Sequence, residues 1–172
     1  MKQMMMAFVA LFSFAGCANI PKGVVAVSNF DAGKYVGKWY EIARFDFRFE
    51  RNLSNTTAEY SFNKNGTIRV ENRGYDTIKN TWKSAVGKAK LVGKSGEAML
   101  KVSFFGPFYA GYNVIALDSD YQTALVAGDH FTYLWILSRT KTIDEATKQK
   151  YLKVAEAYGF ETKNLIWVKQ DN

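Results

Sequence analysis

The chain is predicted to be all-β, an eight-stranded antiparallel up-and-down barrel with one C-terminal α-helix packed outside. Three observations carry this. Segments of alternating apolar and polar residues recur at intervals of roughly ten and are separated by turn signals, the pattern of a meander. Helical periodicity occurs once, near the C-terminus, behind a helix-start signal. A single open sheet of that length would expose two edges, and closure removes them.

The N-terminus is read as a processing signal. Lys2 is followed by an apolar run from Met4 to Phe14, too short to span a bilayer comfortably, and then by Ala15, Gly16 and Cys17. Residues 1–16 are therefore predicted to be a signal peptide. Residues 17–28, with one proline and one glycine, are predicted to be a tether, and residues 29–172 the barrel domain. Cys17 is the only cysteine, so no disulfide can form within the chain.

The first strand runs from about Lys38 to Phe45, entered through Gly37 after a turn-rich lead-in. Residues 46–53 alternate aromatic and charged side chains without a partner pattern and read as a large loop. Ala58, Tyr60 and Phe62 mark the second strand, Asn65-Gly66 a hairpin, and Ile68 and Val70 the third strand. Residues 82–91 place Ala85, Gly87, Ala89 and Leu91 on one face of the fourth. Ala98, Leu100, Val102 and Phe104 define the fifth, and residues 112–117, 122–127 and 131–138 the remaining three. Thr142-Ile143-Asp144-Glu145 reads as a capping box opening a helix, with Ile143, Ala146, Tyr151, Val154, Ala155 and Tyr158 on its apolar stripe and Gly159 just past its end. Residues 165–168 form a last strand.

Eight strands enclose a barrel that either fills with its own side chains or holds one small ligand. Small residues on the fourth strand favour the second outcome. Strand direction alternates, so the loops after the first, third, fifth and seventh strands gather at one end, where Phe45, Phe47, Phe49, Phe105, Phe108 and Tyr109 are found with Arg44, Arg48 and Arg51. These residues rim a mouth or close a packed loop. As a rim they would suit an amphiphile with an anionic head and a tail in a dry lumen. The ligand-binding candidates are Trp135, Tyr133, Tyr109, Phe104, Val102, Leu100, Arg44 and Phe45. Alternation puts Arg139 on the face of Tyr133, Trp135 and Leu137, where a guanidinium needs a partner. Stacking on Trp39 with N–H groups bonded to carbonyls would supply one.

Residues Gly37-x-Trp39, Asp120-Tyr121 in a turn, and Arg139 before the helix resemble the lipocalin signature, over about Asn29 to Val168. The stretches Trp39 to Phe45 and Phe104 to Tyr109 resemble the bacterial outer-membrane lipocalins, a family that binds fatty acids and lysophospholipids. Phe14-Ala15-Gly16-Cys17 resembles a lipobox, with Phe14 where an aliphatic residue is usual. The resemblance implies lipidation of Cys17, and Ala18 after it implies delivery to the outer membrane, facing the periplasm. A homodimer is left open.

A net charge of +7 is spread along the chain without a basic helix or dense cluster, which argues against nucleic acid as a partner. Catalysis finds little support. His130 is the only histidine and sits in a turn, no nucleophile elbow occurs, and no cofactor or metal is expected. The competing classes are a lipocalin-fold enzyme acting on a lipid and a structural envelope barrel with a filled interior.

Overall fold

Along residues 20–171, which the structure, a computed structural model, describes, the chain forms a short helix α1 (Ala32–Tyr35) and then the strands of the barrel. These are β1 (Gly37–Arg44), β2 (Leu53–Phe62), β3 (Ile68–Asp76), β4 (Thr81–Leu91), β5 (Met99–Ser103), β6 (Ala110–Leu117), β7 (Thr123–Ala127) and β8 (Leu134–Ser138). Helix α2 (Glu145–Ala157), a 3-10 turn (Thr162–Asn164) and strand β9 (Ile166–Trp167) complete the chain. The predicted leader and Cys17 lie outside the described residues.

Each of β2 to β8 pairs antiparallel with the next, and β1 pairs with both β2 and β8, which closes the barrel. β1 meets β2 only from Gly37 to Tyr40. Beyond that point β2 diverges, and β9 takes its place along Ala43 and Arg44. The segment after β9 stitches the gap: Val168 N–H donates to the Ile42 carbonyl at 2.9 Å, Asn55 N–H to the Lys169 carbonyl at 2.8 Å, and the Gln170 amide to the carbonyls of Glu41 and Thr56 at 2.8 and 2.9 Å. The backbone groups freed where two strands part are thereby paired again.

Two apolar cores share the wall. Inside lie Trp39, Ala58, Tyr60, Val70, Ala89, Leu100, Val114 and Val126. Outside, Ile42, Phe45, Leu125, Leu134 and Ile136 pack against Tyr151 and Ala155 of α2. Gly159, at φ +95°, follows the helix end as expected. The helix start differs from the predicted capping box, since Asp144 is the cap, accepting the Thr147 N–H at 2.7 Å. Residue 144 has the shorter reach to the orphan amide, which leaves Thr142 outside the helix. β2 also begins before its predicted start, inside the stretch read as loop, because a bulge between Ser54 and Thr57 admits polar residues into the ladder. The described part of the predicted tether is docked on the barrel: Val24 joins the outer core and Val27 exchanges backbone bonds with Val114 and Ala98.

The base of the barrel is closed as predicted by Arg139. Its guanidinium carbon lies 3.9 Å from the centroid of the Trp39 ring. Its N–H groups donate to the carbonyls of Lys38, Lys34, Tyr35, Val36 and Tyr121 at 2.8 to 3.2 Å. Trp39, wholly buried, donates its indole N–H to the Tyr35 carbonyl at 2.8 Å. Gly37 has φ +99°, and a Cβ there would meet the Arg139 Nη1 at 3.2 Å, so the position requires glycine twice over.

A lysine cannot stack as a plane or fork to several carbonyls. Arg139→Lys should therefore lower unfolding free energy by about 2 kcal/mol or more, as expected for lost hydrogen bonds to a charged group. Urea unfolding measures this, and a change under about 0.5 kcal/mol, ordinary for a surface site, would contradict it.

Candidate functional site

Cα partners across a ladder share a face of the sheet, so the register shows which side chains look inward. Trp39, Ala58, Asn72 and Ala85 form one inward row. Arg44, Trp135, Val126 and Val114 form another, and Glu41, Leu137, Ala124 and Leu117 a third. The floor is sealed by Trp39, Leu100, Val114 and Leu137. Above it the wall opens: Ala85, though inward-facing, is exposed, and Val102, Phe104 and Trp135 are only partly buried. Gly87 lets the Phe104 ring lie against the wall, since a Cβ there would be 2.8 Å from that ring. Near the floor the Tyr112 hydroxyl bonds those of Tyr35 and Tyr60 at 2.7 and 2.9 Å. Burial pushes the Tyr60 phenol well above its ordinary value, which keeps it neutral. The Asn72 amide oxygen is buried on the inner face and takes no hydrogen bond among the described residues.

The mouth is partly covered by the β1–β2 loop. Phe47 meets Tyr133 and Trp135 edge-on at 5.7 and 5.5 Å, and those two rings stack at 6.2 Å. The Trp135 indole donates to the Glu50 carboxylate at 3.2 Å. Beneath them Arg44, 2% exposed, donates to Glu41 at 2.7 Å and to the carbonyls of Glu50 and Leu53 at 2.7 and 3.2 Å. Thr56 adds a hydroxyl bond to Glu41 at 3.1 Å. Two carboxylates thus face one buried guanidinium. Burial, and then the Glu41 charge, hold the Glu50 carboxyl well above its ordinary value, so it carries a proton where a free glutamate would not. Burial also raises Glu41, opposed by Arg44.

Several predicted ligand contacts stand elsewhere. A bulge between Glu41 and Ala43 puts Ile42 and Ala43 outside and turns Arg44 inward, where it fastens the loop and is no free rim cation. The same offset sends Phe45 to the outer core, 6.4 Å from Phe160, so it is removed from the lumen set. Tyr109 does not overhang the lumen: its exposed ring lies under Lys90, 5.1 Å away, on the outer face of the wall. Trp135, Phe104, Val102 and Leu100 face inward, and Tyr133 stacks on Trp135 at the mouth. Asp120 and Tyr121 lie in the β6–β7 turn, where the Tyr121 hydroxyl accepts the Asp31 N–H at 2.9 Å and its carbonyl serves Arg139.

Phe47, expected on the rim, does meet Tyr133 and Trp135 there, whereas sequence reasoning missed Glu41, Glu50, Thr56 and Asn72 as lumen or mouth residues. It also missed Lys83, which on the inner side of the β3–β4 hairpin pairs with Asp76 at 2.5 Å. That hydrogen bond and the Lys79 N–H hold the Asp76 carboxyl down at about 2. A glutamate two residues after Trp39, on the same face of β1, was the available signal for the buried cluster. Among the described residues no group of acidic, histidine or cysteine side chains could hold a metal ion.

Comparison with known proteins agrees with this geometry. Residues 30–170 match the family model described as a lipocalin-like domain. The chain is 54% identical to the outer membrane lipoprotein Blc of Citrobacter freundii, over 95% of this chain and 94% of that protein. It is 52% identical to the protein of that name from Escherichia coli K12, with the same coverage. In fold it is similar to insecticyanin of the tobacco hornworm Manduca sexta, at a TM-score of 0.72 and 19% identity, over 90% of this chain and 88% of that one.

The raised Glu50 carboxyl makes the native state hold a proton that the unfolded chain has lost above about pH 4.5, so its contribution to stability falls as pH rises through that window. Glu50→Gln has no such proton to lose. The melting temperature of the variant relative to wild type should therefore climb as the pH is raised above about 4.5. A difference that stays flat across that range would show that Glu50 is ionised in the native protein.

Proposed function

The chain belongs to the lipocalin family, and from that premise we propose that it is an outer-membrane-anchored carrier that binds fatty acids or lysophospholipids in its barrel without changing them covalently. One observation carries the proposal: the inner wall is sealed and apolar at its floor, while inward-facing Ala85 is exposed near its top. An acyl chain entering there would meet Val102, Phe104, Leu100 and Val126, and each buried methylene contributes about 0.8 kcal/mol. In the Glu41–Arg44–Glu50 cluster the one guanidinium is matched by Glu41, which leaves no spare positive charge for a head group, and its Nε–H makes no hydrogen bond among the described residues. Lys83, half-exposed on the inner side of the mouth, is already paired with Asp76, so a phosphate or carboxylate head would have to share it with that carboxylate.

The anchor is proposed from residues outside the described structure. Cys17 would carry the acyl chains, and several chains make attachment effectively permanent. Both relatives named above are called outer membrane lipoproteins, and a periplasm-facing barrel would give such a carrier access to membrane lipids. Binding without catalysis is proposed because His130, the one histidine of the sequence, is exposed on the β7–β8 loop, and the sequence contains no nucleophile elbow.

Titrating delipidated protein with a long-chain lysophospholipid should shift its tryptophan fluorescence, and Trp135→Phe should remove most of that shift while Trp167→Phe leaves it. Mass spectrometry of an organic extract should recover lipid at up to one molecule per chain. Absence of both uptake and recovered lipid would favour a filled envelope barrel, and a covalently altered lipid would favour an enzyme. Cys17→Ser should leave the barrel folded and released from the membrane fraction; retention there would remove the anchor.

A further inference from the structure

The four most exposed of the large apolar side chains are grouped at one end of the barrel. Phe49, Ile78, Phe105 and Phe108 are 66% to 77% exposed, and they sit on the β1–β2, β3–β4 and β5–β6 connections, all at the mouth. Hairpins at every second strand place successive tips about 10 Å apart, so these side chains form a row of projecting points and not a flat patch. Three loops that each present a large apolar group to water, at one end of one barrel, mark a surface that is covered in use.

Charge indicates what covers it. Asp46 is paired with Arg51 at 2.9 Å, Asp76 with Lys83, and Glu50 is turned into the barrel against Trp135. The β5–β6 connection carries no ionisable carboxyl. Arg48 and Lys79, by contrast, have no carboxylate partner among the described residues, and Arg48 lies over the Phe49 ring at 4.7 Å. The outward field of the three loops is thus positive, with rings and aliphatic groups at the tips and cations just behind them. That arrangement fits the interface of a bilayer, where rings enter the acyl boundary and cations meet phosphates.

We propose that the mouth rim docks onto an anionic lipid bilayer, with Phe49, Ile78, Phe105 and Phe108 entering the interface and Arg48 and Lys79 meeting lipid phosphates. The lumen would then open directly toward the leaflet. This goes beyond the carrier function, since it stands on exposed side chains and would hold for a barrel that carried no lipid.

The test uses residues 18–172, which contain every strand and helix described above and lack both leader and Cys17. The protein should sediment with vesicles of phosphatidylglycerol and phosphatidylethanolamine, and high salt should weaken this. Replacing all four apolar residues by serine should lower partitioning by at least about tenfold, given the apolar area withdrawn from the interface. Arg48→Glu with Lys79→Glu should lower it on those vesicles and not on phosphatidylcholine alone. Phe62→Ser, at the opposite end of the barrel, should have no effect. Brominated lipid should quench Trp82, at the mouth end of β4, in the wild-type protein whatever the variants do. The proposal is overturned if wild type stays in the supernatant, if the four-serine variant sediments equally well, if Trp82 is not quenched, or if the rim proves to be a self-association surface, with wild type dimeric in vesicle-free sedimentation and the variant monomeric. Lysophospholipid uptake on the same samples keeps the two functions apart, since the four-serine variant should still take up lipid.

Discussion

A sheet can close into a barrel only if its first and last strands are held in register, and here the Arg139 guanidinium does this. It lies on the Trp39 ring while its N–H groups take up carbonyls from α1, from the start of β1 and from the β6–β7 turn. A plane that is both cationic and a five-donor fork can satisfy an aromatic face and several carbonyls together. Each neighbouring oddity follows from making room for it. Gly37 takes a left-handed conformation, Tyr121 sits at φ 57°, and α1 ends at Tyr35, where the carbonyls of Lys34, Tyr35 and the capping Val36 accept from the guanidinium. With the base closed in this way, variation is left to the opposite end.

That opposite end is organised by a second buried cation under a different constraint. Arg44 is enclosed in the wall with Glu41, and the loop carrying Glu50 and Phe47 folds back over it. Two carboxylates beside one guanidinium leave one proton to be held, and the loop position is coupled to that proton through the bond from Trp135. The mouth is therefore polar and fastened, and the lumen below it mainly apolar down to a sealed floor where three tyrosine hydroxyls bond one another. An amphiphile lying along the barrel axis would match this gradient. The exposed tips beyond it continue the gradient outward, from fastened loop to apolar points flanked by Arg48 and Lys79.

The strands, the closure and the outer helix were legible because they rest on local periodicity. Alternation on β3, β4 and β5 assigns Val70, Ala85 and Leu100 to one face with no knowledge of their partners, and Gly159 marks the helix end by its conformational freedom alone. Arg44 and Phe45, expected at the rim from their place beside the first loop, belong instead to the wall. One extra residue in β1 at the bulge reverses every face after it, and nothing in Glu41 to Phe45 announces that residue. The bulge answers to β8 on one edge and to β9 on the other, strands that lie far along the chain. Tyr109 was misplaced for a related reason, since a loop ring goes wherever a neighbour receives it, and Lys90 received it on the outer face.

By itself, then, the sequence determined that this chain builds alternating strands, bends them into a barrel and caps its base with Trp39 and Arg139, because those outcomes depend on residue type and spacing within each segment. Only the tertiary structure decided which charged groups meet inside the mouth, which aromatic rings face the lumen and which project from the rim. Those outcomes depend on register between distant strands, and a shift of one residue exchanges the inside of the barrel for its outside.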